Sequence, residues 1–120
     1  MVEISRTDFE EAVDDALDSL PEGVARGIAA ANVVILVEDE SPSGPHGEQL
    51  LGLYEGVPLD QRSVFDGFRE PDRISIFRGP LQRMCATREE LVHEIAVTVL
   101  HELGHLFGID DERLHELGWG

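Results

Sequence analysis

Residues 101–111 read His-Glu-Leu-Gly-His-Leu-Phe-Gly-Ile-Asp-Asp, and this stretch sets the expectations for the rest of the chain. His101 and His105 are one helical turn apart, so on a helix their imidazoles leave the same face about 5–6 Å apart and can share one metal ion. Glu102 would lie beside that ion, where a carboxylate can act as a base toward metal-bound water. The spacing therefore predicts a helical metal site with its own general base.

The second half of the stretch predicts a third ligand. Gly108 can end the helix, because glycine adopts a left-handed turn without strain. The turned chain can then bring a carboxylate, from Asp111 or from Asp110, back to the open side of the metal. The offset from Gly108 favours Asp111. Asp is also a preferred helix N-cap, so one of the two could instead begin a short following helix. Three protein ligands and one open position are typical of a catalytic zinc site.

The pattern H-E-x-x-H-x-x-G-x-x-D resembles the long zinc motif of the zincin metallopeptidases, in the form where aspartate replaces the third histidine. Its position near the end of a 120-residue chain is similar to that in small bacterial zincin-like proteins, the mini-zincins. The resemblance implies a Zn²⁺ ion held by His101, His105 and Asp111. It also implies Glu102 as the catalytic base and hydrolysis of peptide bonds in a peptide or protein substrate.

The chain departs from related metzincins in one respect. Those proteins carry a methionine turn after the motif, whereas this chain has only Met1 and Met84, both before it. An oxyanion donor is also not obvious. Tyr54 could supply one from a predicted strand, although the alternative is that its ring packs against the core. The second hypothesis is therefore a non-catalytic metal-binding or peptide-binding module with a zincin-like fold.

Hydrophobic periodicity predicts a helix near each end of the chain. Each begins with a capping box, at residues 7–10 and 87–90, in which a threonine hydroxyl accepts from a first-turn amide. In the first helix, apolar residues repeat at helical spacing and acidic residues occupy the outer face. The second helix, residues 88–107, would be about 30 Å long and would hold both histidines on a packed element. Its predicted core stripe consists of Val92, Ala96, Val99, Leu103 and Phe107.

Three segments predict β-strands: residues 32–38 and 50–55, which are largely apolar, and residues 72–78, in which apolar and polar residues alternate. The first is apolar on both faces, which is typical of a central strand. The third is followed by Gly79 and Pro80 and is predicted at an edge, where open amides could hold an extended peptide. We therefore predict one α/β (α+β) domain over residues 1–120. It would be zincin-like, with a small twisted sheet, an N-terminal helix and a C-terminal active-site helix.

Composition limits the partners. The chain has 25 acidic and 9 basic residues, a formal net charge of −16 at pH 7. That charge argues against nucleic acid and anionic membranes as partners. The single Cys85 cannot form an internal disulfide, and neither a signal peptide nor a membrane span is predicted, so we expect a cytoplasmic protein. The sequence predicts no particular oligomeric state.

Overall fold

Five helices and three strands form the described part of the chain. The computed structural model describes residues 2–30, 32–42, 49–56, 71–108 and 111–116, with only the backbone at residues 30, 111, 114 and 115. This α+β architecture confirms the predicted fold class. No helix within the described ranges is long and apolar enough to cross a bilayer. In chain order the elements are α1 (Arg6–Asp18), α2 (Glu22–Ala30), β1 (Val33–Glu38), β2 (Gly52–Glu55), β3 (Asp72–Phe77), α3 (Arg78–Met84), α4 (Arg88–Leu106) and α5 (Asp111–Glu116).

The sheet has the order β1-β3-β2, with β3 in the centre. Ile74 of β3 pairs with Ile35 of β1 in parallel and with Tyr54 of β2 in antiparallel register. The predicted positions of the first and third strands are therefore wrong, since β3 is central and β1 is an edge strand of the described sheet. The reason is that Pro80 lies beyond β3, within α3, and removes no N–H from the strand ladder.

The short helix α3 was not predicted, because Gly79 and Pro80 are typical of a strand end. In the structure Pro80 occupies the first turn of α3, where a missing N–H breaks no intrahelical bond. The Gly79 N–H donates to the Asp39 carbonyl at 2.7 Å, so the chain just after β1 supplies an acceptor that the helix itself lacks. The two residues do end the strand, but they also begin a helix.

The core lies between α1, α4 and the inner face of the sheet. The predicted apolar face of α1 is confirmed, whereas the buried stripe of α4 is rotated from the predicted one. Val92 and Ala96 are only half-buried, and Phe107 is 39% exposed. Two apolar stripes lie side by side on α4, and packing against both α1 and β3 selects the one that contains Leu91 and Ile95. The buried apolar residues of these three elements are Phe9, Ala12, Val13, Ala16, Ile74, Ile76, Leu91, Ile95, Val99, Leu103 and Leu106.

Local capping fixes both ends of α4. The Thr87 hydroxyl accepts from the Glu90 N–H at 3.1 Å, as predicted, and the Glu90 carboxylate accepts from the Ala86 N–H at 3.2 Å. At the other end Gly108 has φ 78° and its N–H donates to the His105 carbonyl at 3.0 Å. This is the left-handed termination that the sequence predicted. Both ends of the histidine-bearing helix therefore follow from short-range chemistry.

Cys85 is 1% exposed at the end of α3. Burial raises the pKa of its thiol, and the nearby carboxylates of Glu94 and Glu90 raise it further. A buried thiol that resists ionisation is a poor nucleophile, so Cys85 acts as a small apolar core residue.

The N-cap of α1 differs from the prediction and provides a matched test. The Ser5 hydroxyl accepts from the Asp8 N–H at 3.1 Å, so the helix begins before Thr7. We expect Ser5→Ala to lower the free energy of unfolding by about 1 kcal/mol, because one first-turn amide loses its acceptor. Thr7→Ala should change it by less than about 0.5 kcal/mol, as expected of an exposed helical position. Urea denaturation of both variants compares them directly, and an equal or larger loss in Thr7→Ala would contradict the assignment of Ser5 as the N-cap.

Candidate metal centre

The C-terminal half of α4 brings His101, Glu102 and His105 together. One ligand atom from each residue lies within 4.8 Å of the others. The two imidazole rings meet edge to face, with centroids 4.8 Å apart and an interplanar angle of 77°. Both histidines are half-buried, whereas Glu102 is only 6% exposed. The carboxylate therefore lies on the inner side of the cluster, and both imidazoles remain partly accessible.

The Glu102 carboxylate is fixed by contacts from two different elements. Its Oε1 atom accepts from the backbone N–H of Tyr54 on β2 at 3.0 Å. The same oxygen lies 3.3 Å from Nδ1 of His105, one turn further along α4. A buried carboxylate without such partners would be strongly disfavoured. The contact with Tyr54 therefore couples the position of α4 to that of β2.

The edge of the sheet beside this cluster belongs to β2. The Phe77 N–H donates to the Leu51 carbonyl at 3.0 Å, which marks a hydrogen-bonded pair of the antiparallel ladder. Because such pairs alternate, Leu53 also directs its backbone groups toward β3, whereas Gly52 and Tyr54 direct theirs away from it. The Tyr54 N–H that reaches Glu102 is consequently an outward-facing edge amide. The edge role that the sequence analysis assigned to β3 belongs to β2 in the described sheet.

The sequence suggested the Tyr54 hydroxyl as an oxyanion donor, but it did not predict that the Tyr54 backbone N–H binds Glu102. The hydroxyl oxygen is buried and approaches the same backbone position, Gly56, as the carboxylate of the buried Asp72. A hydroxyl closed off from solvent is not available to a substrate in this conformation, which favours the interpretation that the ring packs. The feature of the sequence that could have indicated this contact is Gly52, because a glycine within a strand often marks a close approach of another element.

The predicted third ligand, Asp111, is the first residue of α5. α5 begins three residues after Gly108, whose left-handed backbone follows the end of α4. The Asp111 side chain and the whole of Asp110 lie outside the described residues. Asp111 as third ligand stays a prediction.

The donor chemistry of the described cluster fits zinc. Imidazole nitrogens and a carboxylate oxygen are its usual protein ligands, and two nitrogens on one tetrahedral zinc would be about 3.3 Å apart. The ligand atoms of His101, Glu102 and His105 are all within 4.8 Å of one another, a grouping that could hold one metal ion. The Glu102 carboxylate beside His105 also favours an Nδ1 proton, which leaves the Nε2 lone pair for a metal.

Comparison with known proteins places these features in a family. The zincin-like metallopeptidase family matches residues 30–119, which include the sheet, α4 and the histidine cluster. No curated protein matches the chain. Among solved structures, a conserved hypothetical protein from T. thermophilus is similar, with 26% identity and a TM-score of 0.58. The match covers 95% of this chain and 97% of that one. The chain therefore belongs to the zincin-like metallopeptidase family.

Proposed function

We propose that the protein is a zinc-dependent peptidase in which His101, His105 and Asp111 hold the metal and Glu102 is the general base. The observation that carries the proposal is the environment of Glu102, a buried carboxylate held beside two imidazoles by the Tyr54 N–H. A purely structural metal site has no need of such a group, because a carboxylate next to the ligands adds desolvation without completing the coordination.

Zinc in this position would supply Lewis acidity, which polarises a peptide carbonyl and acidifies water. Glu102 then accepts the proton of the attacking water and transfers it to the nitrogen of the leaving amine. The Tyr54 and His105 contacts of its carboxylate both fall on Oε1, so we assign the proton to Oε2. The Tyr54 N–H holds Oε1 in place during that transfer.

An extended peptide fits the outward edge of β2. Gly52 directs its backbone N–H and carbonyl away from β3, and peptide recognition by a strand edge uses such groups, whereas the Tyr54 N–H is already bound to Glu102. This edge meets the cluster at the Tyr54–Glu102 contact, so a peptide bound along it would lie next to the general base. The formal charge of −16 would moderately favour basic over acidic peptides, and salt would weaken that preference.

The position of the Tyr54 hydroxyl favours the second candidate, a metal-binding or peptide-binding module without catalysis. The hydroxyl is buried, so the oxyanion donor considered from the sequence is not exposed to a substrate. This alternative predicts stoichiometric zinc binding and no cleavage across a diverse peptide library. Detectable, metal-dependent cleavage would exclude it.

The first test is Glu102→Gln. Glutamine keeps the shape of the side chain and an acceptor for the Tyr54 N–H, but it cannot serve as a base at neutral pH. We expect bound zinc to remain stoichiometric while kcat/KM for peptide cleavage falls by about 10²–10⁴-fold. Metal analysis and cleavage assays on the same preparation measure both quantities. Unchanged cleavage would show that another group takes the proton.

The second test separates the two candidate third ligands. Asp111→Asn and Asp110→Asn each remove one negative charge at adjacent positions, so they are matched controls for the general effect of charge. We expect Asp111→Asn to weaken zinc binding by at least roughly 10–100-fold, since loss of an outer-shell partner alone costs about that much, and Asp110→Asn to weaken it by less than about threefold. Competition with a chromogenic chelator measures both affinities. The opposite ranking would assign the ligand to Asp110.

A further inference from the structure

β2 lies unusually close to α4 at Gly52. A Cβ atom built at Gly52 would be 2.6 Å from Cγ2 of Thr98, 3.1 Å from the Ser75 carbonyl oxygen and 3.4 Å from Cγ of Glu102. Two of these three atoms belong to α4, and one of them is part of the general base itself. No side chain larger than hydrogen fits there without movement of the strand, the helix or Thr98.

Thr98 has little freedom to move away. It is 7% exposed, and its hydroxyl donates to the Glu94 carbonyl at 2.7 Å. That bond holds the Thr98 side chain in one rotamer, which keeps its methyl group directed at Gly52. A Cβ atom at residue 52 would therefore mainly increase the distance between β2 and α4.

Steric fit, rather than backbone conformation, accounts for the glycine. Gly52 lies within β2, in extended backbone that an alanine can also adopt. A glycine in a strand weakens it relative to residues with side chains, so a strand of only four residues would gain from replacing it. What the glycine permits is the close approach of α4.

We propose that Gly52 is a positioning residue for Glu102, because it lets β2 approach α4 closely enough for the Tyr54 N–H to fix the carboxylate. The Tyr54 N to Glu102 Oε1 distance is 3.0 Å. Relieving the contact with Thr98 would require an opening from 2.6 Å to at least 3.4 Å, where ordinary contact begins. An N–H···O bond lengthened by a similar amount is no longer a hydrogen bond. The catalytic part of this proposal rests on the proposed peptidase function, whereas the contact itself does not.

The direct experiment is Gly52→Ala in the full chain, read out by residue-specific amide hydrogen exchange. We expect the Tyr54 amide to exchange roughly tenfold faster than in the wild type, because it loses a charged acceptor. The amide of Ile74 in the central strand should keep its protection, which shows that the fold persists. Zinc should still bind stoichiometrically. In cleavage assays kcat should fall by roughly 10–100-fold with KM within about twofold, as expected when a base is displaced rather than a binding surface lost.

A rescue variant distinguishes positioning from general damage. Thr98→Ser removes the methyl group that Gly52→Ala would meet and keeps the hydroxyl that donates to the Glu94 carbonyl. The double variant should regain most of the Tyr54 protection and of kcat, measured against Thr98→Ser alone. Gly23→Ala is the control, since a Cβ atom there meets nothing within 4 Å, and it should leave both measurements unchanged. If Thr98→Ser gives no rescue, or Gly52→Ala leaves the Tyr54 amide as protected as before, the proposal is wrong.

A second measurement covers the case in which Gly52→Ala does not fold. Glu102→Ala removes the acceptor without touching β2, and the Tyr54 amide should again exchange roughly tenfold faster. Unchanged exchange would overturn the proposal at its first step. These exchange experiments do not depend on turnover, so a wild-type protein that cleaves no peptide would reject the peptidase function alone. The role of Gly52 would then be decided by the hydrogen-exchange rate of the Tyr54 amide alone.

Discussion

A buried carboxylate is the constraint on which this structure depends. Glu102 is 6% exposed, and a polar group at that depth requires hydrogen-bond partners from the protein. One partner comes from outside its own helix, the backbone N–H of Tyr54 at 3.0 Å. The fold must therefore hold α4 and β2 at a fixed separation. A helix merely carrying two histidines would need no such relation to the sheet.

Apolar burial supplies that fixed relation. Ile95, Val99 and Leu103 are at most 1% exposed on the face of α4 that turns inward, and each contributes roughly 1.5–3 kcal/mol through burial. The histidines lie one face away from this stripe, so the packing that holds the helix does not cover them completely. The Thr87 cap and the Gly108 turn fix where the helix begins and ends. The rigidity of the cluster is thus a property of the core.

The sequence correctly predicted features that depend on interactions within one helical turn. It did not predict features that depend on contacts between segments far apart in the chain. The ends of α4 were predicted because Thr87 and Gly108 act on amides and carbonyls within one turn, and the two histidines meet because a helix makes their proximity inevitable. The central position of β3 was missed because strand order depends on pairing between segments far apart in sequence. The Tyr54 contact was missed because it joins residues 48 positions apart through a backbone atom that every residue possesses. The one signal in the sequence was Gly52, a glycine within a strand, which often marks a close approach of another element.

The way α4 is held also determines what a metal can contribute. In small zinc-folded domains the ion supplies much of the folding free energy, so loss of a ligand unfolds the chain. Here Leu91, Ile95 and Val99 pack α4 into a core that does not include His101 or His105. The imidazoles and the Glu102 carboxylate are brought together by that packing, without a contribution from a metal. Substitution of a metal ligand should then remove the metal and leave α4 folded. The effect of that substitution on catalysis can therefore be measured separately from its effect on folding.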